Sequence, residues 1–289
     1  MGVSPFGEMG RFHDCAGFLR GHPALRAGLA LLTAAACTHD VRLEAPQPNV
    51  RAQPIALSSS PDTARPEVLQ ADIAMLGLPL AHLESTVCPG RDATTIATHV
   101  DSAALINALH RSGGDARTEL TGLAALRSEF HIQDGDLLRH YETEHRPGSF
   151  DYEYDNGGDA RRTGHGAVPE EAFPYDLQSA LLLLRGWRPR LGETGFFYVV
   201  LGRRLWRTEV TYAGPQMLQT SRTPRLTHRL DGVSVRLWQP SEIEPRHFSL
   251  WLSEDAERVP LRMVADASFG EVTLTLTGRR QNDVACSGK

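Results

Sequence analysis

The chain has 289 residues, a length that accommodates one large domain or two small ones and a substantial hydrophobic core. Its hydrophobic fraction of 41% and charged fraction of 22% exclude a wholly disordered protein. The formal net charge of −5 disfavours nucleic acid as a partner, because an acidic surface repels phosphate.

The first 36 residues have the features of an export signal. Arg20 and Arg26 supply positive charge, and an uncharged run follows at 27–36. That run is too short to span a bilayer, which needs about 20 apolar residues, but it fits the core of a signal peptide. It ends in small residues before Cys37, an arrangement that resembles the lipobox of bacterial lipoproteins. We therefore expect residues 1–36 to be removed and Cys37 to carry the lipid.

This resemblance implies an exported protein that is anchored to a membrane through its N-terminal lipid. Two or more acyl chains give stable anchoring, because each buried methylene contributes about 0.8 kcal/mol. Thr38 stands directly after the cysteine, where aspartate would favour the inner membrane, so the expected location is the outer membrane, facing the periplasm. The alternative is a short buried helix that ends in a cysteine.

A proline-rich segment separates this signal from the rest of the chain. Five prolines and a run of three serines interrupt any apolar period between residues 37 and 66. We predict a disordered tether over 37–66, a single β-rich domain over 67–281 and a C-terminal tail over 282–289. An ordinary N-terminal tail is equally compatible with this composition.

A first helix is predicted over residues 101–111. Asp101 or Ser102 can cap its start, apolar residues recur on one face, and Gly113 and Gly114 are expected to end it.

A second helix is predicted over residues 176–185. Asp176 can cap it, and Gly186 follows its last turn. The four leucines at 181–184 make it apolar nearly all round, so we expect this helix to be largely buried.

Alternating apolar and polar residues predict antiparallel strands in much of the remaining chain. The alternating or apolar segments lie near 150–155, 196–201, 208–212, 233–237, 248–252 and 272–276. Gly214 and Pro215 are expected to turn the chain after the third segment. The pattern predicts a mainly β fold, with a single curved antiparallel sheet, a half-barrel or a barrel, and one or two packed helices.

Motifs in the C-terminal half resemble a bacterial envelope family, domain of unknown function 3108. They are D-x-x-S-A with a following L-R, then L-W-L-S-E-D, R-V-P-L-R and F-G-E-V, which include Asp176, Ser179, Arg185, Trp251, Ser253, Asp255, Pro260 and Gly270. The resemblance covers about 95–277 and is clearest over 176–276. It implies an exported protein, often a lipoprotein, with a mainly antiparallel β fold similar to the half-barrel of periplasmic lipoprotein carriers. It implies no catalytic residues.

The motif residues also have structural explanations. Asp176 caps the second helix, and Arg185 near the end of that helix interacts favourably with its dipole. Ser253 and Asp255 belong to a turn between strands, and Pro260 suits the first residue or the edge of a strand.

The sequence contains no motif for catalysis, a cofactor or a metal. G-x-S-x-G, the P-loop and the dinucleotide fingerprint are all missing from the chain. His131, His140, His145 and His165 lie in one region, but their spacings match no compact ligand pattern. We interpret them as histidines of loops and strand edges, and expect neither a metal nor a cofactor.

Cys88 and Cys286 are the cysteines that remain once the signal and the lipidated residue are set aside. Disulfides persist in exported proteins, and this bridge would close a loop of about 200 residues. Two free thiols are the alternative.

Three functions are compatible with these features. The first is a non-enzymatic envelope lipoprotein whose curved sheet binds a lipid or another apolar ligand. The second is a scaffold with a filled core that contacts another envelope protein, with candidate contacts at Trp187, Trp206, Trp238 and Trp251. The third is an envelope hydrolase, which only the abundance of serine, histidine and acidic residues supports. We favour the first over the second, and both over the third.

Overall fold

The computed structural model describes residues 52–55, 65–109, 112–157, 161–220, 223–237, 245–267, 270–281 and 286. The expected signal peptide, the lipidation site Cys37 and most of the expected tether lie outside the described residues, as do Trp238 and most of the C-terminal tail.

The described residues form sixteen strands, two α-helices and a short 3₁₀ helix at Pro169–Glu171. The strands are β1 (Gln53–Pro54), β2 (Glu67–Met75), β3 (Leu78–Pro89), β4 (Thr94–Ser102), β5 (Ser112–Thr121), β6 (Ala124–Asp134), β7 (Leu137–Arg146), β8 (Ser149–Asp155), β9 (Arg162–Ala167), β10 (Pro174–Tyr175), β11 (Thr194–Leu201), β12 (Arg204–Leu218), β13 (Arg225–Arg236), β14 (Arg246–Ser253), β15 (Pro260–Ala267) and β16 (Gly270–Gln281). The α-helices are α1 (Ala104–Leu109) and α2 (Leu177–Gly186).

All the strands belong to one sheet, so the predicted mainly β fold with one curved antiparallel sheet is confirmed. Hydrogen-bonded neighbours follow the order β1-β11-β12-β13-β14-β15-β16-β2-β3-β4-β5-β6-β7-β8-β9, and β10 also pairs with β11. Every pairing from β11 through to β9 is antiparallel, whereas β1 and β10 run parallel to β11. Within the described residues no ladder joins β9 to β11, so the sheet is not closed by hydrogen bonds.

Side chains bring the two ends of this sheet together. Residues of β11 alternate between two clusters, because successive side chains of a strand point to opposite faces. Phe197 and Val199 join the cluster around α2, whereas Phe196 and Tyr198 pack with Phe150 of β8. The inner face of the sheet at β8 therefore packs against the outer face of the sheet at β11. The two ends of the sheet overlap instead of meeting edge to edge.

Helix α2 lies inside the curve of the sheet. Its Asp176 N-cap accepts a hydrogen bond from the backbone N–H of Ser179, and the Ser179 hydroxyl accepts one from the backbone N–H of Asp176. Leu182, Leu183 and Leu184 are buried against inner-face residues of strands on both sides of the curve. The helix thus fills part of the interior that the sheet surrounds.

The predicted helix over 101–111 is wrong at its start. Asp101 and Ser102 are the last residues of β4, and the helix begins at Ala104. Gly113 and Gly114 lie within β5 and do not end a helix. A Cβ at Gly114 would lie 2.6 Å from the His131 carbonyl oxygen of the neighbouring strand, so close backbone approach explains this glycine.

Two further expectations are corrected. Gly214 and Pro215 do not turn the chain, because β12 continues through them with a bulge between Tyr212 and Gly214 that preserves its pairing with β13. Within the expected tether, residues 53–54 form β1 on the edge of β11, and Ile55 packs against the core around α2.

A disulfide joins Cys88, near the end of β3, to Cys286, with 5.6 Å between the two Cα atoms. The bridge connects Cys286, which follows β16 in the chain, to β3, and one strand (β2) lies between β16 and β3 in the sheet. Neither α1 nor α2, the α-helices of the described part of the chain, has the length and hydrophobicity that a membrane span requires.

Candidate functional site

An apolar cleft of about 640 Å³ occupies the part of the interior that α2 leaves open. Its walls come from β2–β6 and β14–β16, and one face of α2 forms its floor. Volumes of about 300–1,000 Å³ are typical of pockets for small molecules. The cleft lies on the concave face of the sheet, the face on which the sequence predicts an apolar ligand.

Apolar side chains provide most of the lining. The wall residues of this type are Leu69, Ala71, Leu83, Val87, Ile96, Val100, Ala116, Phe130, Ile132, Leu250, Met263, Leu274 and Leu276. Strand register explains why they converge, since Ala71 pairs with both Leu83 and Leu276, and paired residues point to the same face.

One stripe of α2 completes the cleft. Leu177, Gln178, Leu181, Leu182 and Arg185 line it, at the spacing that places residues on one side of an α-helix. The opposite side of α2 packs into the core, so the helix separates a filled half of the interior from an open half.

A short chain of polar groups interrupts the apolar lining. The Gln178 side-chain N–H donates to Thr98 Oγ1 at 2.6 Å, and the Thr98 hydroxyl donates to Ser85 Oγ at 2.9 Å. The Gln178 Oε1 atom is buried and has no hydrogen-bond partner among the described residues. Gln178 therefore brings one unsatisfied acceptor to the wall of the cleft, and this atom has almost no accessible surface in the present side-chain conformation.

Arg185 lies where α2 meets the edge of the cleft, and its charge is neutralised within the protein. Its guanidinium donates to Glu67 Oε2 at 2.7 Å, and Arg279 donates to Glu67 Oε1 at 2.8 Å. Because Glu67 holds both cations, Arg185 does not present a free positive charge to the cleft.

The family model for DUF3108, proteins of unknown function, matches residues 77–277. The chain belongs to the DUF3108 family. The resemblance drawn from the motifs over 95–277 is thereby confirmed, and the match covers nearly all the strands that wall the cleft.

Two solved structures are similar to this DUF3108 protein at low identity. One is a β-barrel-like protein of DUF1849 from Brucella abortus, with 10% identity and a TM-score of 0.49, covering 76% of this chain and 99% of that chain. The other is a candidate exported protein with a YmcC-like fold from Bacteroides fragilis, with 8% identity and a TM-score of 0.34, covering 79% of this chain and 98% of that chain. No curated protein matches the chain.

Three of the DUF3108 motif residues, Asp176, Ser179 and Arg185, lie at the two ends of α2. Asp176 is fully buried and accepts hydrogen bonds from the hydroxyls of Thr118 and Ser179 as well as from the helix backbone. Pro260 is the first residue of β15 and lines the cleft, and Gly270 begins β16 with a φ of 128°.

The turn between β14 and β15 is built by two other motif residues. Ser253 Oγ accepts from the Val259 backbone at 2.7 Å and donates to Asp255 Oδ1 at 2.9 Å. Asp255 Oδ1 also accepts from the backbone N–H groups of Glu257 and Arg258. These contacts fix the loop next to the end of α2.

The tryptophans named as candidate partner contacts differ in their surroundings. Trp187 is buried in the core around α2 and is not available to a partner. Trp206 is partly buried against the same core. Trp251 is half-buried between Arg229 and Arg262, whose guanidinium carbons lie 5.4 and 5.7 Å from its ring centroid.

A serine–histidine pair is present away from the cleft. His145 Nε2 lies 2.9 Å from Ser128 Oγ, and His145 Nδ1 donates to the Pro174 carbonyl oxygen at 3.2 Å. Burial lowers the pKa of His145, and the nearby Asp176 carboxylate and the Pro174 carbonyl oppose this in part. Both side chains are buried, neither lines the apolar cleft, and the pair joins β6 and β7 to β10.

On the outer face, strand register aligns a row of histidines and acids across β4–β7. His99 pairs with Asp115, Asp115 with His131, and His131 with His140. The hydrogen bond to Asp115 raises the pKa of His99, and that from His131 lowers the pKa of Glu129. Spacing along the chain gave no sign of this row, because it depends on which residues of neighbouring strands lie opposite each other.

Proposed function

We propose that this DUF3108 protein is a non-enzymatic cell-envelope lipoprotein that binds a lipid or another apolar ligand in the cleft beside α2. The observation that carries the proposal is the cleft itself, because its apolar walls on a concave sheet leave about 640 Å³ unfilled. A lipid chain placed there would bury apolar surface at about 25 cal/mol per Å² without any bond chemistry.

The polar chain of Ser85, Thr98 and Gln178 adds a chemical preference. The Gln178 Oε1 atom is buried and lacks a donor, so a shift of this side chain towards the cleft would let a ligand N–H or O–H group beside an apolar chain satisfy it. The best match is therefore an acyl chain that carries a hydroxyl or amide group, rather than a pure hydrocarbon.

Export and anchoring belong to the same proposal. The signal-like segment and Cys37 support a lipid anchor in the outer membrane, facing the periplasm. The Cys88–Cys286 disulfide supports an oxidising compartment, where such bonds persist. An anchored domain with an apolar cleft would hold its ligand close to the membrane from which that ligand comes.

Native mass spectrometry of the exported protein tests the proposal. Residues 1–37 are replaced by a cleavable secretory signal, so that the chain from Thr38 to Lys289 is recovered from the periplasm without its own anchor. We expect additional mass that disappears on organic extraction. A bare protein mass that also fails to bind a fluorescent fatty acid would favour the scaffold alternative with a filled core.

A matched pair of variants localises the ligand. Ala116 lines the cleft, whereas Ala97, on the adjacent strand, is exposed. Ala116→Phe is expected to fill part of the cleft and remove the additional mass, and Ala97→Phe is expected to retain it. Retention of the ligand by both variants would place binding elsewhere.

A further inference from the structure

We propose that Glu129, His131 and His140 form a binding site for a divalent transition-metal ion on the outer face of the sheet. Their candidate ligand atoms lie within 4.8 Å of one another. Two imidazoles and one carboxylate form a donor set that suits zinc and neighbouring transition metals, with further positions left for water.

Two adjacent strands position the three side chains. Glu129 and His131 are two residues apart on β6, so they share a face, and His140 of β7 lies directly opposite His131. The two imidazole rings are stacked, with centroids 4.4 Å apart and planes 9° from parallel. Pairing of β6 and β7 on both sides of this position fixes the backbone that carries the three side chains, and binding of one ion by both rings requires only rotation about their side-chain bonds.

Both histidines direct the same ring nitrogen to one oxygen. His131 Nε2 lies 2.8 Å and His140 Nε2 lies 3.1 Å from Glu129 Oε1. In the absence of metal each contact needs a proton on Nε2, so two N–H groups converge on a single carboxylate oxygen. To bind a metal ion, each Nε2 gives up its proton, which moves to Nδ1 in a neutral ring or is released to water from a protonated ring. Both imidazoles then bind the metal in their neutral form, together with the Glu129 carboxylate.

The three side chains are accessible from solvent, and acidic residues nearby favour a bound cation. The side chains of Glu129, His131 and His140 are 32%, 55% and 21% exposed, and a groove of about 580 Å³ reaches both histidines. Asp115 lies opposite His131 and Asp155 opposite His140, which adds negative charge nearby.

Two arginines stand close to the site, but acidic residues pair with them. Arg117 lies opposite Glu129 on β5 and pairs with Glu119 at 3.7 Å. Arg127 pairs with Glu142 at 2.8 Å. These contacts leave the Glu129 carboxylate to the two histidines.

Calorimetric titration of Zn²⁺ into the full-length chain in detergent, after treatment with a chelator, tests the proposal. We expect saturable binding that each of Glu129→Gln, His131→Asn and His140→Asn weakens by at least ~10-fold. Mg²⁺ is not expected to compete, because it prefers oxygen ligands. Zn²⁺ should also raise the unfolding temperature of the wild type and not that of Glu129→Gln.

His82→Asn is the matched control. His82 Nδ1 lies 3.0 Å from Asp72 on the same sheet, so it forms a histidine–carboxylate contact at a position that the proposal does not use. We expect His82→Asn to bind Zn²⁺ like the wild type. Absence of saturable binding in the wild type, wild-type affinity in any of the three site variants, or equal loss in His82→Asn would each overturn the proposal. Unfolding temperatures measured without Zn²⁺ separate loss of the site from loss of the fold.

Discussion

Arg185 and Glu67 are 118 residues apart in sequence and form an ion pair of 2.7 Å in the interior, where their side chains are 7% and 8% exposed. The pair connects the last turn of α2 to the first residue of β2. Arg279 of β16 shares the same carboxylate. The helix that forms the floor of the cleft is thus attached to the centre of the sheet by charge as well as by apolar packing.

Glu67→Gln should be strongly destabilising. The substitution leaves Arg185 buried without its counter-ion, and breaking a buried pair in this way costs about 3–5 kcal/mol. Arg185→Met should cost less, because Glu67 retains Arg279. Urea unfolding monitored by tryptophan fluorescence measures both.

The exposed pair of Arg280 and Glu84 serves as the control, with 3.5 Å between the charged atoms. Arg280→Gln should change the free energy of unfolding by about 1 kcal/mol or less, since solvent screens exposed pairs. Equal losses in Glu67→Gln and Arg280→Gln would show that burial of the first pair has no energetic consequence.

His145 should make stability depend on pH. Its pKa is lowered in the folded protein, mainly by burial, whereas an unfolded chain titrates near 6.5. Above about pH 6.5 neither state binds the proton and this contribution is constant. As the pH falls below that value the unfolded state alone gains a proton, so the free energy of unfolding falls, by at most about 1.4 kcal/mol per pH unit.

The comparison with His145→Asn isolates this contribution, because the carboxylates of the protein titrate in both chains. The variant is expected to be less stable at pH 8 and to show a shallower decline below pH 6.5, measured by urea unfolding at several pH values. An identical slope in the two proteins would mean that His145 takes up its proton in the folded state.

Much of the sheet could be predicted from its C-terminal half but little from residues 112–146. In β11, β14 and β16 apolar residues recur at every second position or continuously, which identifies strands directly. In β5–β7 the buried inner-face positions include Thr118, Ser128, Thr143 and His145. Thr118 donates to Asp176, and Ser128 and His145 contact each other and Pro174, whereas Thr143 Oγ1 has no hydrogen-bond partner among the described residues. Polar residues at these buried positions remove the apolar period although the strands are regular.

The cleft and the outer histidine row were harder to predict for a different reason. Both depend on register between strands, and a shift of one residue would turn every side chain to the opposite face. Asp176 was recognisable as a helix cap from local sequence, but its contact with Thr118, 58 residues away, was not.

Asp176→Ala should destabilise the protein more than the loss of an ordinary helix cap. A cap is worth about 1 kcal/mol, and the buried Thr118 hydroxyl would also lose its acceptor at about 1–3 kcal/mol, whereas the Ser179 hydroxyl keeps the backbone carbonyl of residue 176 at 3.2 Å. Asp176→Asn keeps one acceptor oxygen and should lose less. A thermal unfolding series in which the two variants lose equal stability would contradict this account.

Removal of the disulfide should lower stability without changing the fold. The bridge spans 198 residues, and the chain-entropy model gives up to about 5 kcal/mol for a loop of this size. Cys88→Ser with Cys286→Ser is therefore expected to unfold at lower urea concentration, with an unchanged far-ultraviolet circular dichroism spectrum. Wild type treated with a reductant should match the variant, and a difference between them would indicate an effect of the serines.

Gln178 should set the chemical preference of the cleft. Its Nε2 donates to Thr98, so Oε1 is the atom that a ligand donor would reach once the side chain shifts towards the cleft. Gln178→Leu should weaken binding of a hydroxylated fatty acid about 2- to 12-fold, the equivalent of one net hydrogen bond of 0.5–1.5 kcal/mol. The same substitution should leave the affinity for the unsubstituted fatty acid unchanged or higher, because it removes an unsatisfied polar atom from an apolar wall. Displacement of a fluorescent fatty acid by the two ligands measures the ratio of affinities. Equal weakening of both would assign Gln178 a purely structural role through Thr98.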